Sequence, residues 1–218
     1  MPEYRVVEKF ISINGEGQRA GELAVFIRLA GCNMRCSYCD TLWALEKDVP
    51  FVSKTEEEIV SYLQSAGVKN VTLTGGEPLI HKDIDILIRS IIDAGFRLEI
   101  ETNGSIDIRR FDERASYTVD YKCPGSGCES FMYMKNFENV GKNDTVKFVV
   151  TDMKDLDRMR EVVSEYYLTA KTKVYVSTAF GEIKPADVAD YMIEHKLNDI
   201  RLQLQIHKYI WDPMMRGV

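Results

Sequence analysis

Gly31-Cys32-Asn33-Met34-Arg35-Cys36-Ser37-Tyr38-Cys39-Asp40-Thr41-Leu42-Trp43 decides how this chain is read. Three cysteines at Cys-x3-Cys-x2-Cys spacing share one short polar loop. Thiols packed that closely point to a soft metal centre. A closed structural zinc site or iron–sulfur cluster takes four protein ligands. Three ligands from one loop leave one iron open for a small molecule. The competing site, zinc completed by Cys123 or Cys128, fits less well, because zinc ribbons supply two well-separated Cys-x2-Cys pairs.

The flanking sequence sets the loop on a strand. Residues 23–30 (Leu-Ala-Val-Phe-Ile-Arg-Leu-Ala) are nearly all apolar, as in a strand covered on both faces, and the cysteines follow at its C-terminal end. Upstream, the β-favouring segment 4–13 runs into a glycine turn, Asn14-Gly15-Glu16-Gly17. Downstream, Thr55-Glu56-Glu57-Glu58 predicts a capping box opening a helix that Gly67 stops. Strand and helix then alternate: strand 70–74, helix 82–94, strand 97–102, a weak helical piece near 107–115, and strand 117–121. Segment 122–144 breaks the rhythm, and Cys123 and Cys128 read as free thiols of a flexible loop. Strand 145–150, helix 153–167, strand 173–178, helix 185–197 and strand 200–206 complete the series.

This alternation predicts a parallel sheet with right-handed crossovers in a single domain over 1–218. Within strands, one face is apolar and the other polar. Leu98, Ile100 and Thr102 alternate with Arg97, Glu99 and Glu101. Val146, Phe148 and Val150 alternate with Thr145 and Lys147, and Tyr121 lies between Asp120 and Lys122. Leu202, Leu204 and Ile206 alternate with Arg201, Gln203 and Gln205, and His207 continues the polar row. The expected fold is therefore an α/β, incomplete (β/α) barrel of about six parallel strands, with helices on its apolar outside and a wet, polar lumen, in preference to a doubly wound sheet.

The 218 residues are 45% hydrophobic and 28% charged, with a net charge of −6, which argues against a nucleic-acid-coating surface. No apolar run is long enough to span a membrane and the N-terminus has no signal-peptide core, so a cytoplasmic location is expected. Five cysteines in a reducing compartment read as ligands or packing residues rather than disulfides.

Cys32, Cys36, Tyr38 and Cys39 resemble the signature of the radical S-adenosylmethionine (SAM) superfamily, which has an aromatic residue before the last cysteine. Gly75-Gly76-Glu77-Pro78, ending the next strand, is similar to that superfamily's Gly-Gly-Glu motif. More specific stretches occur in order: Asn14-Gly15-Glu16-Gly17, Phe26-x-Arg28-x-Ala30-Gly31-Cys32-Asn33, Cys39-Asp40-Thr41, Thr74-Gly75-Gly76-Glu77-Pro78, Glu101-Thr102-Asn103-Gly104-Ser105 and Gln205-x-His207-Lys208-Tyr209. Together they resemble the 7-carboxy-7-deazaguanine synthase family of queuosine and 7-deazapurine biosynthesis.

The resemblance implies a [4Fe-4S] cluster on Cys32, Cys36 and Cys39, SAM on the fourth iron, Mg2+ on Thr41, and ring contraction of 6-carboxy-5,6,7,8-tetrahydropterin with loss of ammonia. SAM would be cleaved to methionine and a 5′-deoxyadenosyl radical. Substrate would be held by Ile13, Asn14, Gly15, Glu16, Thr74, His207 and Lys208, with Arg28 on its carboxylate and Val218 offering a terminal carboxylate. Ser37, Tyr38, Cys39, Gly75, Gly76, Glu77, Glu101, Asn103, Lys122, Ser177, Thr178 and Ala179 would form the cofactor site, Glu77 supplying a partner for the SAM ammonium. No acid–base dyad is implied. A flavodoxin- or ferredoxin-type reductant and a homodimer are implied by the resemblance alone. Three features depart from the family's habit: Asn14 where Gln is common, Asp120-Tyr121-Lys122 where Ser-Pro-Lys is common, and a chain continuing beyond Pro213. Two rivals are an activase that places a glycyl radical on a partner protein, and a non-catalytic zinc or iron–sulfur module.

Overall fold

In the computed structural model, which describes residues 1–45 and 48–218, the chain forms one nine-stranded sheet. β1 (Glu3–Ile13) and β2 (Leu23–Leu29) form an antiparallel pair, and β3 (Val52–Thr55) lies antiparallel on the outer side of β1. From β2 onward the sheet is parallel and follows chain order: β4 (Asn70–Gly75), β5 (Arg97–Thr102), β6 (Ser116–Tyr121), β7 (Thr145–Val150), β8 (Lys173–Thr178) and β9 (Ile200–Leu202). A doubly wound sheet reverses its strand order at a switch point. This one does not reverse, and its two edges, β3 and β9, stay apart, so the architecture is a partial barrel with seven parallel strands.

The main crossovers are α1 (Glu56–Ala66), α2 (Ile84–Asp93), α4 (Met153–Glu165) and α6 (Pro185–Glu194). Short helices α3 (Asn136–Asn139), α5 (Leu168–Lys171) and α7 (His207–Ile210) fill gaps between them. The capping box opens α1: Glu58 N donates to Thr55 Oγ1, Thr55 N donates to Glu58 Oε2, and Gly67 ends the helix at φ +68°.

The strand alternation translates into two unlike faces. Val25, Ile27, Leu29, Val71, Leu73, Leu98, Ile100, Val119, Val146, Phe148, Val150, Val174 and Val176 join the helices in one apolar core outside the sheet. On the other face stand Thr72, Thr74, Glu99, Glu101, Thr118, Asp120, Lys147 and Ser177: Thr74 bonds to Glu101, Thr118 to Glu99 and Lys147 to Asp120, while Thr72 and Ser177 bond to Asn14 and Glu16 of the β1–β2 turn. The polar lumen expected from the sequence is present.

Several boundaries differ from expectation. β3 escapes the sequence pattern because Val52 and Ser53 are exposed; pairing with β1 makes it a strand. The piece near 107–115 is a single tight turn, Ile108–Arg110. The last strand stops at Leu202 rather than 206. Leu204 is exposed and His207 begins α7: Gln203 N still donates to Val176 O of β8, but beyond it the Gln205 side chain and Ile206 N bond to the β1–β2 turn instead. The 122–144 segment is well packed: Cys123 is fully buried and Cys128 nearly so, correcting the flexible-loop reading.

Candidate active site at the C-terminal mouth of the barrel

The strand ends carry the cysteine loop over the lumen. Cys32, Cys36 and Cys39 are free and half-buried. Cys32 Sγ accepts from Met34 N at 3.4 Å and from Asn103 Nδ2 at 3.5 Å, so β5's end and the loop itself direct donors at a sulfur that bears negative charge when it binds metal. Burial pushes the Cys36 thiol up to about 12 and raises Cys39 as well. Both thiols keep their protons until a cation displaces them. Ser37 is gripped on both sides: its N donates to Ser126 O at 3.0 Å and its Oγ to Gly125 O at 2.7 Å.

Gly75 and Gly76 serve this packing. A Cβ on Gly75 would collide with the Leu29 backbone and one on Gly76 with the Gly31 carbonyl. Gly76 N donates to Leu29 O and Glu77 N to Gly31 O, pinning the end of β4 to the start of the cysteine loop. The close approach that demands glycine is therefore between two parts of the chain itself. Glu77 is held within the protein. It is wholly buried, with Oε1 accepting from Leu79 N and Thr102 Oγ1 and Oε2 from Asn103 N at 2.6 Å. It joins the ends of β4 and β5 and, through Asn103, braces Cys32. Burial outweighs these three donors and raises its pKa to about 7.

On the lumen side, the turn between β1 and β2 reaches across the barrel. Glu16 Oε1 accepts from Ser177 Oγ at 2.9 Å, and Oε2 from Lys147 Nζ at 3.1 Å and Gln205 Nε2 at 3.0 Å. Desolvation opposes ionisation of Glu16, but Lys147, Gln205 and Ser177 together prevail and hold its pKa below the usual carboxylate value. Gly17 exchanges two hydrogen bonds with the Gln203 side chain, and Ile206 N donates to Gly15 O. A Cβ on Gly15 would run into the His207 ring. The turn and the C-terminal segment thus close one side of the lumen as a unit. Asn14 is buried, accepting from Thr72 Oγ1 at 2.7 Å, and its Nδ2 has no protein partner. Ile13 is half-buried at the end of β1.

Charges line the rest. Arg28 Nε pairs with Glu8 Oε2 at 3.0 Å, beside the stacked Phe10 and Phe26 rings. Thr74 Oγ1 donates to Glu101 Oε2. Lys122 Nζ lies 2.8 Å from Asp120 Oδ2, and Lys147 lies 3.9 Å from the same oxygen. Desolvation works against both lysines, yet Asp120 and Glu16 raise their pKa values, so both stay charged. Asp120 Oδ1 and Tyr38 Oη are buried without a protein partner. Thr41 Oγ1 donates to Asp40 Oδ1 at 2.9 Å, while Lys208 Nζ holds Asp40 Oδ2 at 3.1 Å. Desolvation opposes ionisation of Asp40, but Lys208 and Thr41 overcome it. Ser177 is fully buried, Ala179 N is fixed by Val150 O, and Thr178 is half-buried between them. Half-buried Val218 closes the tail, next to Arg216, whose guanidinium lies 4.1 Å over the Trp43 ring of the cysteine loop.

The residues fit the implied groups unevenly. Three adjacent thiols with N–H donors aimed at one of them suit an iron–sulfur cluster. Unpartnered Asn14 Nδ2, Tyr38 Oη and Asp120 Oδ1 suit a polar ligand in the lumen. Thr41 and Asp40 suit Mg2+ only as a partial oxygen set completed by other ligands. Among the described residues, no three His, Cys, Asp or Glu side chains gather around one ion. Lys147, Asp120, Gln203 and Gln205 were visible in the sequence as polar rows, but their role in building the site was not.

A partial barrel with this cysteine loop at the strand ends defines a radical SAM protein, and the model of the Radical SAM superfamily matches residues 26–122. A protein of Clostridium acetobutylicum named 7-carboxy-7-deazaguanine synthase is 52% identical over 99% of both chains. One of the same name from Chlorobaculum tepidum is 33% identical over 98% of this chain and 96% of its own. The crystal structure of QueE from Escherichia coli superposes with a TM-score of 0.75 over 93% of each chain; at 24% identity it speaks for the fold. The chain belongs to the 7-carboxy-7-deazaguanine synthase family, and is an enzyme. The activase and binding-module readings fall with that assignment.

Proposed function

We infer that the protein converts 6-carboxy-5,6,7,8-tetrahydropterin to 7-carboxy-7-deazaguanine with release of ammonia. The Glu16 cage carries the reading: a carboxylate kept ionised inside the lumen by Lys147, Ser177 and Gln205. A fixed, ionised acceptor suits the amino and ring N–H donors of a pterin. Arg28 keeps N–H groups beyond the one given to Glu8 and suits the substrate carboxylate. Thr74, Asn14, His207 and Lys208 line the same space, and burial keeps His207 neutral by lowering its pKa.

Cys32, Cys36 and Cys39 would hold the [4Fe-4S] cluster, and Tyr38, Gly76, Asn103, Lys122 and the 177–179 strand end would surround SAM. Reduced cluster and SAM together supply a carbon-centred radical able to abstract hydrogen from substrate. The protein's share is to hold the substrate in register, exclude water and keep charges paired. Thr41, beside Asp40, would offer Mg2+ one oxygen. A flavodoxin- or ferredoxin-type reductant and a cytoplasmic location belong to the same reading; among the described residues no helix is long and apolar enough to cross a membrane. Exposed Tyr209, Ile210, Met214 and Met215 support a homodimer.

The test is anoxic incubation of reduced, reconstituted protein with the carboxytetrahydropterin, SAM and Mg2+. A product with the mass of 7-carboxy-7-deazaguanine, with ammonia, is expected. SAM cleavage that the pterin does not stimulate, with no deazapurine, overturns the substrate.

A further inference from the structure

Glu8 and Arg28 face each other across the β1–β2 ladder only because the ladder slips. Val6 pairs with Leu29, but the next cross-strand pair is Glu8 with Arg28, which leaves Val7 as an extra residue in β1. The slip reverses which residues face where. Before it, Tyr4 and Val6 point into the core under the helices. Beyond it Lys9 takes that side, its Nζ 3.8 Å from the centre of the Tyr62 ring on α1, and Glu8 and Phe10 turn to the lumen. With unbroken alternation Glu8 would follow Val6 into the apolar core, where a carboxylate without a partner is costly.

Arg28 stands beside Thr74 of β4 on that lumen face. Its Nε donates to Glu8 Oε2 at 3.0 Å, and both side chains are largely covered, at 18% exposure each. Among the described residues, Glu8 is the one protein acceptor of Arg28 side-chain hydrogen bonds. The stacked Phe10 and Phe26 rings adjoin the pair on the same two strands. A guanidinium held at Nε keeps its outer N–H edge for a second carboxylate.

We propose that Glu8 is a positioning residue: it orients Arg28 so that the free edge of the guanidinium meets the substrate carboxylate, and so gives the site its selectivity for carboxylated pterins. The inference rests on the proposed pairing of Arg28 with that carboxylate. Without Glu8 the arginine side chain is free to turn, and ordering it falls to the substrate. The carboxylate is kept in the product, so its contact persists through the reaction, and the loss shows in KM with kcat kept.

The experiment uses anoxically reconstituted holoprotein with SAM and Mg2+: wild type, Glu8→Ala, Glu8→Ser and Glu8→Gln, with Arg28→Ala in parallel. KM and kcat are measured for 6-carboxy-5,6,7,8-tetrahydropterin. The inhibition constant of 6-methyltetrahydropterin, which has the ring without the carboxylate, is measured beside them. Glu8→Ala and Glu8→Ser are expected to raise KM roughly three- to tenfold at unchanged kcat. Glu8→Gln, whose amide oxygen can still accept from Arg28, should keep the wild-type KM, and the inhibition constant should stay the same across the Glu8 series. An unchanged or lower KM in the Ala and Ser variants, a loss confined to kcat, or a Gln variant no better than they are overturns the proposal. So does an inhibition constant that rises in step with KM, or failure of both short variants to fold. Arg28→Ala with a wild-type KM would instead remove the carboxylate assignment beneath it, and a wild type that does not turn the pterin over overturns both.

Discussion

The Glu16 carboxylate meets the Lys147 ammonium at 3.1 Å across 131 residues of chain, with both side chains almost wholly covered by protein. Removing one partner of a covered pair strands the other. Lys147→Met is expected to cost about 3–5 kcal/mol of stability. Glu16→Gln should cost less, since Lys147 keeps Asp120 at 3.9 Å. Urea denaturation of the apoprotein measures both. The pair also sets a pH window. Glu16's lowered pKa contributes stability above the ordinary carboxylate value that is lost as pH falls through the depressed one. Lys147's raised pKa contributes stability below the ordinary lysine value that is lost as pH climbs through the raised one. The contribution is therefore level through neutrality, and Glu16→Gln should flatten the acid limb.

Glu77 has the opposite sign. Its pKa is raised to about 7 by burial, so the folded protein binds its proton more tightly than the unfolded chain does. That contribution is full below the ordinary carboxylate value and is lost as pH rises through about 7. Thermal melts of the apoprotein between pH 5 and 8 should show a fall that Glu77→Gln reduces. Identical wild-type and variant slopes would contradict the assignment.

Gly15→Ala tests the closure of the lumen. The added methyl would run into the His207 ring, so the C-terminal segment must shift away from the turn. Pterin KM should rise by at least about tenfold, the cost of one or two lost contacts, with iron content unchanged. Combining it with His207→Ala should recover part of the loss. Equal KM values in wild type and Gly15→Ala would contradict the docking of these segments.

How much of this was legible in the sequence depended on the distance over which each determinant acts. The helix at Thr55 was legible to the residue because both hydrogen bonds of its capping box span three positions. The lumen was legible because alternation along a strand is local. The cage around Glu16 was not, since Lys147, Ser177 and Gln205 come from separate elements that only the folded sheet brings together. The same reason hid β3 and shortened β9: exposed Val52 becomes a strand by pairing with β1, while the ladder to β8 ends at Gln203 N and the side chains of Gln203 and Gln205 bond to the β1–β2 turn. Glu77 was read as a ligand contact from its place in the Gly-Gly-Glu motif, which says nothing of its partners within the protein. The buried donors of Thr102 and Asn103, one βα unit away, turn it inward.

The capping box also supplies a control. Thr55→Ala should cost about 1 kcal/mol of stability while leaving cluster content and turnover unchanged, because α1 lies outside the sheet. Chemical denaturation together with iron analysis checks it.

The central claim is that Cys32, Cys36 and Cys39 leave one iron of a four-iron cluster to SAM. Electron paramagnetic resonance of the reduced, anoxically reconstituted protein, recorded before and after adding SAM, addresses it most directly. The account predicts a [4Fe-4S] spectrum that shifts when SAM binds. A spectrum unaltered by saturating SAM, or a colourless protein holding zinc, would contradict it.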